Sequence, residues 1–217
     1  MKTIDRLFKG VILMLAVVFC TGMSAGSATA AQIDKQETPE LLNIPLLWKP
    51  TVTVGSMGVI DLTVFKNRSF TIKPFNDLRT NPSEIGRNVE KKHSGKVLLV
   101  TTKDNVAAWL TDRFASILRE FEVPVVKEGG TMSLEADILK FYVTEESVYK
   151  ADIGLKIRVR SKTGDVIWAG MISVGDQNWG SSYKAENYYE VLSNACIDAV
   201  SALLKSDSFM QAVQKNK

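Results

Sequence analysis

Lys156, Arg158 and Arg160 occupy alternate positions in a stretch whose other members are Leu155, Ile157 and Val159, a spacing that puts three cations on one face of an extended strand. With Lys150 and Lys162 nearby, that face is a candidate site for a phosphate or an anionic lipid headgroup, although the wet side of an ordinary sheet has the same alternation. Asp61, Asp77, Glu84, Glu135, Asp137, Asp152, Asp165 and Asp176 are the carboxylates from which a hydrolytic pair or an oxygen-ligated metal would be drawn. Glu135 and Asp137 fall on the polar phase of a strand and Asp165 in a turn, so a hydrolase built from distant carboxylates is the least favoured reading. No segment has the ligand ladder of a calcium loop or the His and Cys set of a zinc site.

The single histidine, His93, sits in Glu90-Lys91-Lys92-His93-Ser94, and adjacency to Ser94 supplies none of the geometry of a general base and its nucleophile. Gly129-Gly130 and the stretch from Gly175 to Ser182 lack both the phosphate-loop Lys-Ser/Thr ending and the dinucleotide-binding glycine pattern, so turns explain them. Cys196 has no CxxC neighbour and reads as a small buried side chain. Neither a catalytic residue, a metal ligand nor a cofactor is expected. Among the aromatics Trp109, Trp168, Trp179, Tyr188 and Tyr189, Trp179 stands apart because it lies in the glycine-rich loop, where a core role is weakest. An interface rim of Asp77, Arg79, Trp179 and Tyr189 is the candidate partner-binding site, since aromatic and arginine side chains dominate protein contacts.

The elements that would position these residues follow from periodicity. Residues 58–65 and 69–74 alternate around Lys66-Asn67-Arg68 and predict a hairpin, followed by a polar excursion over residues 79–95. Val97 to Thr101 reads as a central strand, and Thr102 as the cap of a helix whose Val106, Leu110, Phe114, Ile117 and Phe121 form one apolar stripe. Val123-Pro124-Val125-Val126, ended by Gly129-Gly130, suits a brief strand that Pro124 confines to a sheet edge or a strand start. From Met132 the period becomes two, and its apolar phase moves from even to odd positions after Ile138, which suggests a bulge or a strand covered on both sides. Residues 150–160 and 166–174, joined through Ser161 to Asp165, complete three antiparallel strands. Ala185 to Lys205 forms a second long helix, with a last turn or short helix around Phe209, Ala212 and Val213. The predicted fold is α+β, an antiparallel or mixed sheet with two main amphipathic helices packed on one face.

The beginning of the chain sets its address. Lys2, Arg6 and Lys9 precede an apolar run from Val11 to Cys20, and Ala28-Thr29-Ala30 offers small residues at a cleavage point, so residues 1–30 read as a signal peptide cut after Ala30. The apolar run is short for a membrane span, which needs about 20 residues. Phe19, bulky and directly before Cys20, makes Cys20 a poor lipidation site. The expected location is the periplasm, with membrane attachment through Cys20 or an uncleaved N-terminus as the alternative. Residues 31–56, with Pro39, Pro45 and Pro50, suit an extended or partly mobile segment tethered by Trp48, ahead of one α+β domain over residues 57–217.

The 217 residues are 24% charged and 45% hydrophobic with two cysteines and a net charge of +3, which suits one globular domain and excludes a disulfide-rich or disordered chain. Without its first 30 residues the chain carries 24 basic and 23 acidic groups, a net charge of +1, so there is no global electrostatic case for nucleic-acid binding.

The strand and helix from Val97 to Phe121, the paired strands from Ile153 to Val174, the loop Gly180-Ser181-Ser182, the helix with Glu186 and Asn194, and the early Phe75-Asn76-Asp77-Leu78-Arg79 and Ile85-Gly86 resemble the YajG-like group of bacterial envelope lipoproteins over roughly residues 58 to 213. The resemblance implies a small envelope domain without enzymatic machinery, related in shape to accessory domains of outer-membrane assemblies. Asp77, Arg79 and Gly86 match its early segment, and Gly180, Ser182 and Glu186 its loop-to-helix junction, none with a catalytic role. The chain departs from the group at Phe19-Cys20, where members are expected to be lipidated. The expected function is a non-enzymatic cell-envelope accessory or protein-binding domain with an envelope protein as partner. The alternative is a module for an anionic lipid, envelope polymer or small ligand, and self-association stays open.

Overall fold

The structure is a computed structural model that describes residues 41–90 and 95–216. The expected signal segment with Cys20 and Ala30, and His93, lie outside the described residues.

The strands are β1 (Leu41–Asn43), β2 (Phe70–Ile72), β3 (Asn76–Asp77), β4 (Glu84–Asn88), β5 (Leu98–Thr101), β6 (Val125–Val126), β7 (Met132–Glu145), β8 (Tyr149–Ser161) and β9 (Val166–Asn178). The helices are α1 (Val106–Glu120), α2 (Ala185–Leu204) and α3 (Asp207–Lys215), so three helices stand where two main ones were expected. The strands form one mixed sheet organised around β7. Along one edge β7 pairs antiparallel with β8, from Met132 opposite Ser161 to Glu145 opposite Tyr149, and β8 pairs antiparallel with β9. Along its other edge β7 meets β2, β3 and β4 in succession, all parallel, at Met132, Asp137 and Val143. Residues 70–88 thus act as one strand in three pieces. The register of β7 on β8 shifts between Ile138 and Lys140, where the apolar phase changes in the sequence.

The helices close the core. Val106, Leu110, Phe114 and Ile117 of α1, Tyr188, Leu192, Ala195 and Leu203 of α2, and Phe209 and Val213 of α3 are buried, each large apolar side chain contributing about 1.5–3 kcal/mol. Phe209 meets Phe65, Phe70 and Trp168 at ring-centroid distances of 6.2, 6.2 and 5.4 Å. Residues 46–52 lie along α2: the Lys49 N–H donates to Ser193 Oγ at 3.0 Å, and Thr51 N–H to Asn194 Oδ1 at 2.9 Å. Trp48 packs 6.1 Å from Trp109, and the Arg113 guanidinium lies over its ring.

Three local expectations are corrected. Residues 58–65 are not half of a hairpin: Asp61 Oδ1 accepts from the Thr63 amide at 3.0 Å and hydroxyl at 2.7 Å, which turns the chain into the single 3-10 turn Thr63–Phe65. With that partner removed, β2 pairs parallel with β6 and β7. Residues 79–95 are not only a polar excursion, because β4 lies within them with Ile85 and Asn88 fully buried. Gly86 makes this approach attainable, since a Cβ there would stand 2.7 Å from the Val143 carbonyl oxygen. The cap of α1 is Asn105, whose side chain accepts from the Ala108 amide at 2.9 Å, while Thr102 Oγ1 accepts from Asp104 N–H.

Candidate functional site

The glycine-rich loop after β9 is held from several sides. Glu145, at the end of β7 on the buried phase that includes Phe141 and Val143, accepts from the Tyr183 amide at 2.7 Å and from the Tyr188 hydroxyl. Tyr149 on β8 donates its hydroxyl to the Ser181 carbonyl at 2.6 Å, and Asn187 Nδ2 donates to the same oxygen at 2.7 Å. Ser182 donates to Glu90, and Asn88 Nδ2 donates to both Glu90 Oε2 and Ser182 Oγ at 3.3 Å. Burial pushes the Tyr149 hydroxyl up to about 12, and burial followed by the bond to Glu145 raises Tyr188 further, so both remain donors at any physiological pH. Tyr183 occupies the left-handed region at φ 55°, a conformation the surrounding bonds hold in place.

Directly before this anchored stretch stands Trp179, 76% exposed, its amide donating to Asn178 Oδ1 at 2.8 Å and its indole facing solvent. Strand β9, which leads into it, pairs only with β8, so the outer edge of a 13-residue strand carries no strand partner among the described residues. Met171 and Val166 on β9 are exposed, and Asp176 is its single charged residue.

The other rim residues are placed differently. Asp77 and Arg79 form an ion pair with side chains 14% and 7% exposed, tied into the turn before β4. Tyr189 lies on α2 and is 6% exposed. Among the described residues, no hydrogen bond, ion pair or ring contact joins Trp179 to Asp77, Arg79 or Tyr189.

On the polar phase of β8, Arg158 donates to Glu135 Oε1 at 2.8 Å and to Asp137 Oδ2 at 2.8 Å, and Arg160 to Glu135 Oε1 at 3.1 Å. The bonds from Arg158 are the main reason that Glu135 and Asp137 are held below the usual carboxylate range. Lys156 is exposed and stands opposite Asp137 in the strand register. Two of the three cations on this face therefore have carboxylate partners.

No group of three or more His, Cys, Asp or Glu residues among those described is close enough to hold a metal ion, and no described helix is long and apolar enough to cross a membrane. Cys196 is buried in α2, where desolvation pushes its thiol well up. Sequence reasoning singled out Trp179 but missed Asn88, Glu145 and Tyr149, which hold its loop. Parity is the signal for one of them, because Glu145 continues the buried positions 141 and 143.

No family model matches the sequence, and no curated protein matches it. Solved structures similar to the chain include a Xanthomonas campestris protein of the DUF330 family model, 15% identical, covering 80% of this chain and 96% of that one with a TM-score of 0.47. A second is the PelC dodecamer protein of Paraburkholderia phytofirmans, 9% identical, covering 62% and 86% with a TM-score of 0.39. A third is a minor lipoprotein of Acinetobacter baumannii, 7% identical, covering 65% and 92% with a TM-score of 0.38. These likenesses do not single out the YajG-like group.

Proposed function

We propose that the chain is a non-catalytic binding domain of the bacterial cell envelope, which takes hold of a protein partner with Trp179 and the free edge of β9. The carrying observation is the exposure of the Trp179 indole on a loop in which Ser181 is held by Tyr149 and Asn187, Ser182 by Glu90 and Tyr183 by Glu145. A large aromatic presented on an ordered loop loses little conformational freedom on binding, which is the property of an interface anchor. The adjacent edge offers backbone donors and acceptors to an extended segment of the partner. In this reading the helices cover one side of the sheet and supply the rigid support. Export through the signal segment places the domain in the periplasm. Asp77 and Arg79 act by shaping the β3–β4 turn rather than by touching the partner.

The test is Trp179→Ala. Capture of the envelope partner should weaken by about 30-fold, the cost of roughly 2 kcal/mol typical of a central aromatic anchor, with the unfolding midpoint unchanged. Undiminished capture removes Trp179 from the interface.

A further inference from the structure

We propose that a groove at the far end of the β8–β9 hairpin, bounded by Lys66, Arg68 and Lys162, binds a phosphate ester. It has a volume of about 480 Å³, the size of a small-ligand site, and its lining also includes Asn67, Thr131 and Asn216, with no carboxylate side chain among the described lining residues. The cations come from two separate turns. Lys66 and Arg68 flank Asn67, whose left-handed φ of 63° bends the chain between them, and Lys162 lies in the turn joining β8 to β9.

Arg68 is fixed in place. Its Nη1 donates to the Val64 carbonyl at 2.7 Å, Nη2 to Gln214 at 3.0 Å and Nε to Asn216 at 3.2 Å, which fastens the end of α3. All three acceptors are neutral carbonyl oxygens, so these bonds supply no counter-ion to the guanidinium, and two of its five N–H groups are left over by them. Lys66 and Lys162 make no ion pair among the described residues. Asp165, the acid of the same hairpin turn, accepts from the Thr163 hydroxyl at 2.7 Å. Arg158 and Arg160, by contrast, already have Glu135 and Asp137 as partners.

Three cations around a groove with hydroxyl and amide donors match a group with several anionic oxygens, and charge-assisted bonds to phosphate are the strong ones. The phosphate can belong to a soluble ester or to a phospholipid headgroup, and the experiment separates the two. Glycerol 3-phosphate is titrated into isotope-labelled protein while amide shifts are followed, and flotation is measured with phosphatidylglycerol and phosphatidylcholine vesicles. Saturable shifts confined to Asn67, Lys162, Asn216 and their neighbours are expected, weakened at least tenfold in Lys66→Gln/Lys162→Gln and unchanged in Lys103→Gln. Both lysines are exposed, and circular dichroism verifies that the double variant folds. Flotation with phosphatidylglycerol alone, lost in the double variant and without a response to glycerol 3-phosphate, assigns the site to the headgroup. Absence of both responses, or equal binding by the double variant, overturns the proposal.

Discussion

Arg79 grips Asp77 at two points, Nε to Oδ1 at 2.9 Å and Nη2 to Oδ2 at 2.7 Å, while its remaining N–H groups reach the carbonyls of Pro82, Glu84 and Phe141 at 2.6, 3.0 and 3.1 Å. One side chain thereby uses its full set of donors to join β3, the turn before β4, and β7. Its guanidinium also lies 5.7 Å from the centre of the Phe141 ring. The planar fork explains why an arginine stands here and why the polar excursion seen in the sequence folds back as a strand.

Arg79→Lys keeps the charge but has only three donors from one atom, so several of these acceptors lose their partner. Urea unfolding should show a loss of about 1–3 kcal/mol for Arg79→Lys and about 3–5 kcal/mol for Arg79→Ala, which also strands Asp77. A change below 0.5 kcal/mol in both would show that the turn holds without the fork.

Glu145→Gln tests the support under Trp179. Glutamine preserves shape but puts an amide donor where Glu145 offers a second acceptor oxygen, so one of the bonds from Tyr183 N–H and the Tyr188 hydroxyl is lost. The expected loss is about 1–3 kcal/mol, with faster amide exchange over residues 180–184 while α1 is unaffected. Exchange that rises evenly through the molecule would place Glu145 in the global core and not in a loop clamp.

The ladder on β7 and β8 sets the acid behaviour. Glu135 and Asp137 titrate below their unfolded values, chiefly because Arg158 bonds to them, so their contribution is present above about pH 4 and is lost as pH falls through the lowered folded values. Arg158→Met should therefore be less stable than the parent at pH 7, and the gap should close below about pH 4. A gap independent of pH would mean that Arg158 acts through packing alone.

Much of this fold is legible in residue order. The turn from Ser161 to Asp165 and the stripe from Val106 to Ile117 are present as read, and of the two readings of the phase change after Ile138 the register shift selects the bulge. Residues 58–65 misled because alternation there satisfies the strand period while the short-range bonds of Asp61 to Thr63 win locally. β4 was hidden because its polar residues are satisfied by distant partners: Asn88 by Ser182, and Glu84 by Tyr142 at 2.6 Å. For the candidate sites, exposure decided what sequence could not. Trp179 and Tyr189 look alike as aromatics near the loop, yet one projects into solvent and the other is packed on α2. The cations at 158 and 160 form a clear stripe, but only the strand register reveals the carboxylates opposite them. The groove of Lys66, Arg68 and Lys162 joins residues almost 100 positions apart and has no local signature.

The central claim is that Trp179 and the β9 edge form one contact surface. Its most direct measurement is in-cell crosslinking from a photoreactive residue placed at position 179, at 171 on β9 or at 103 before α1, in a C-terminally tagged chain exported to the envelope. The account predicts that positions 179 and 171 trap the same envelope protein and that position 103 does not trap it. Equal crosslinking from all three positions, or none from 179 in folded and exported protein, would contradict it.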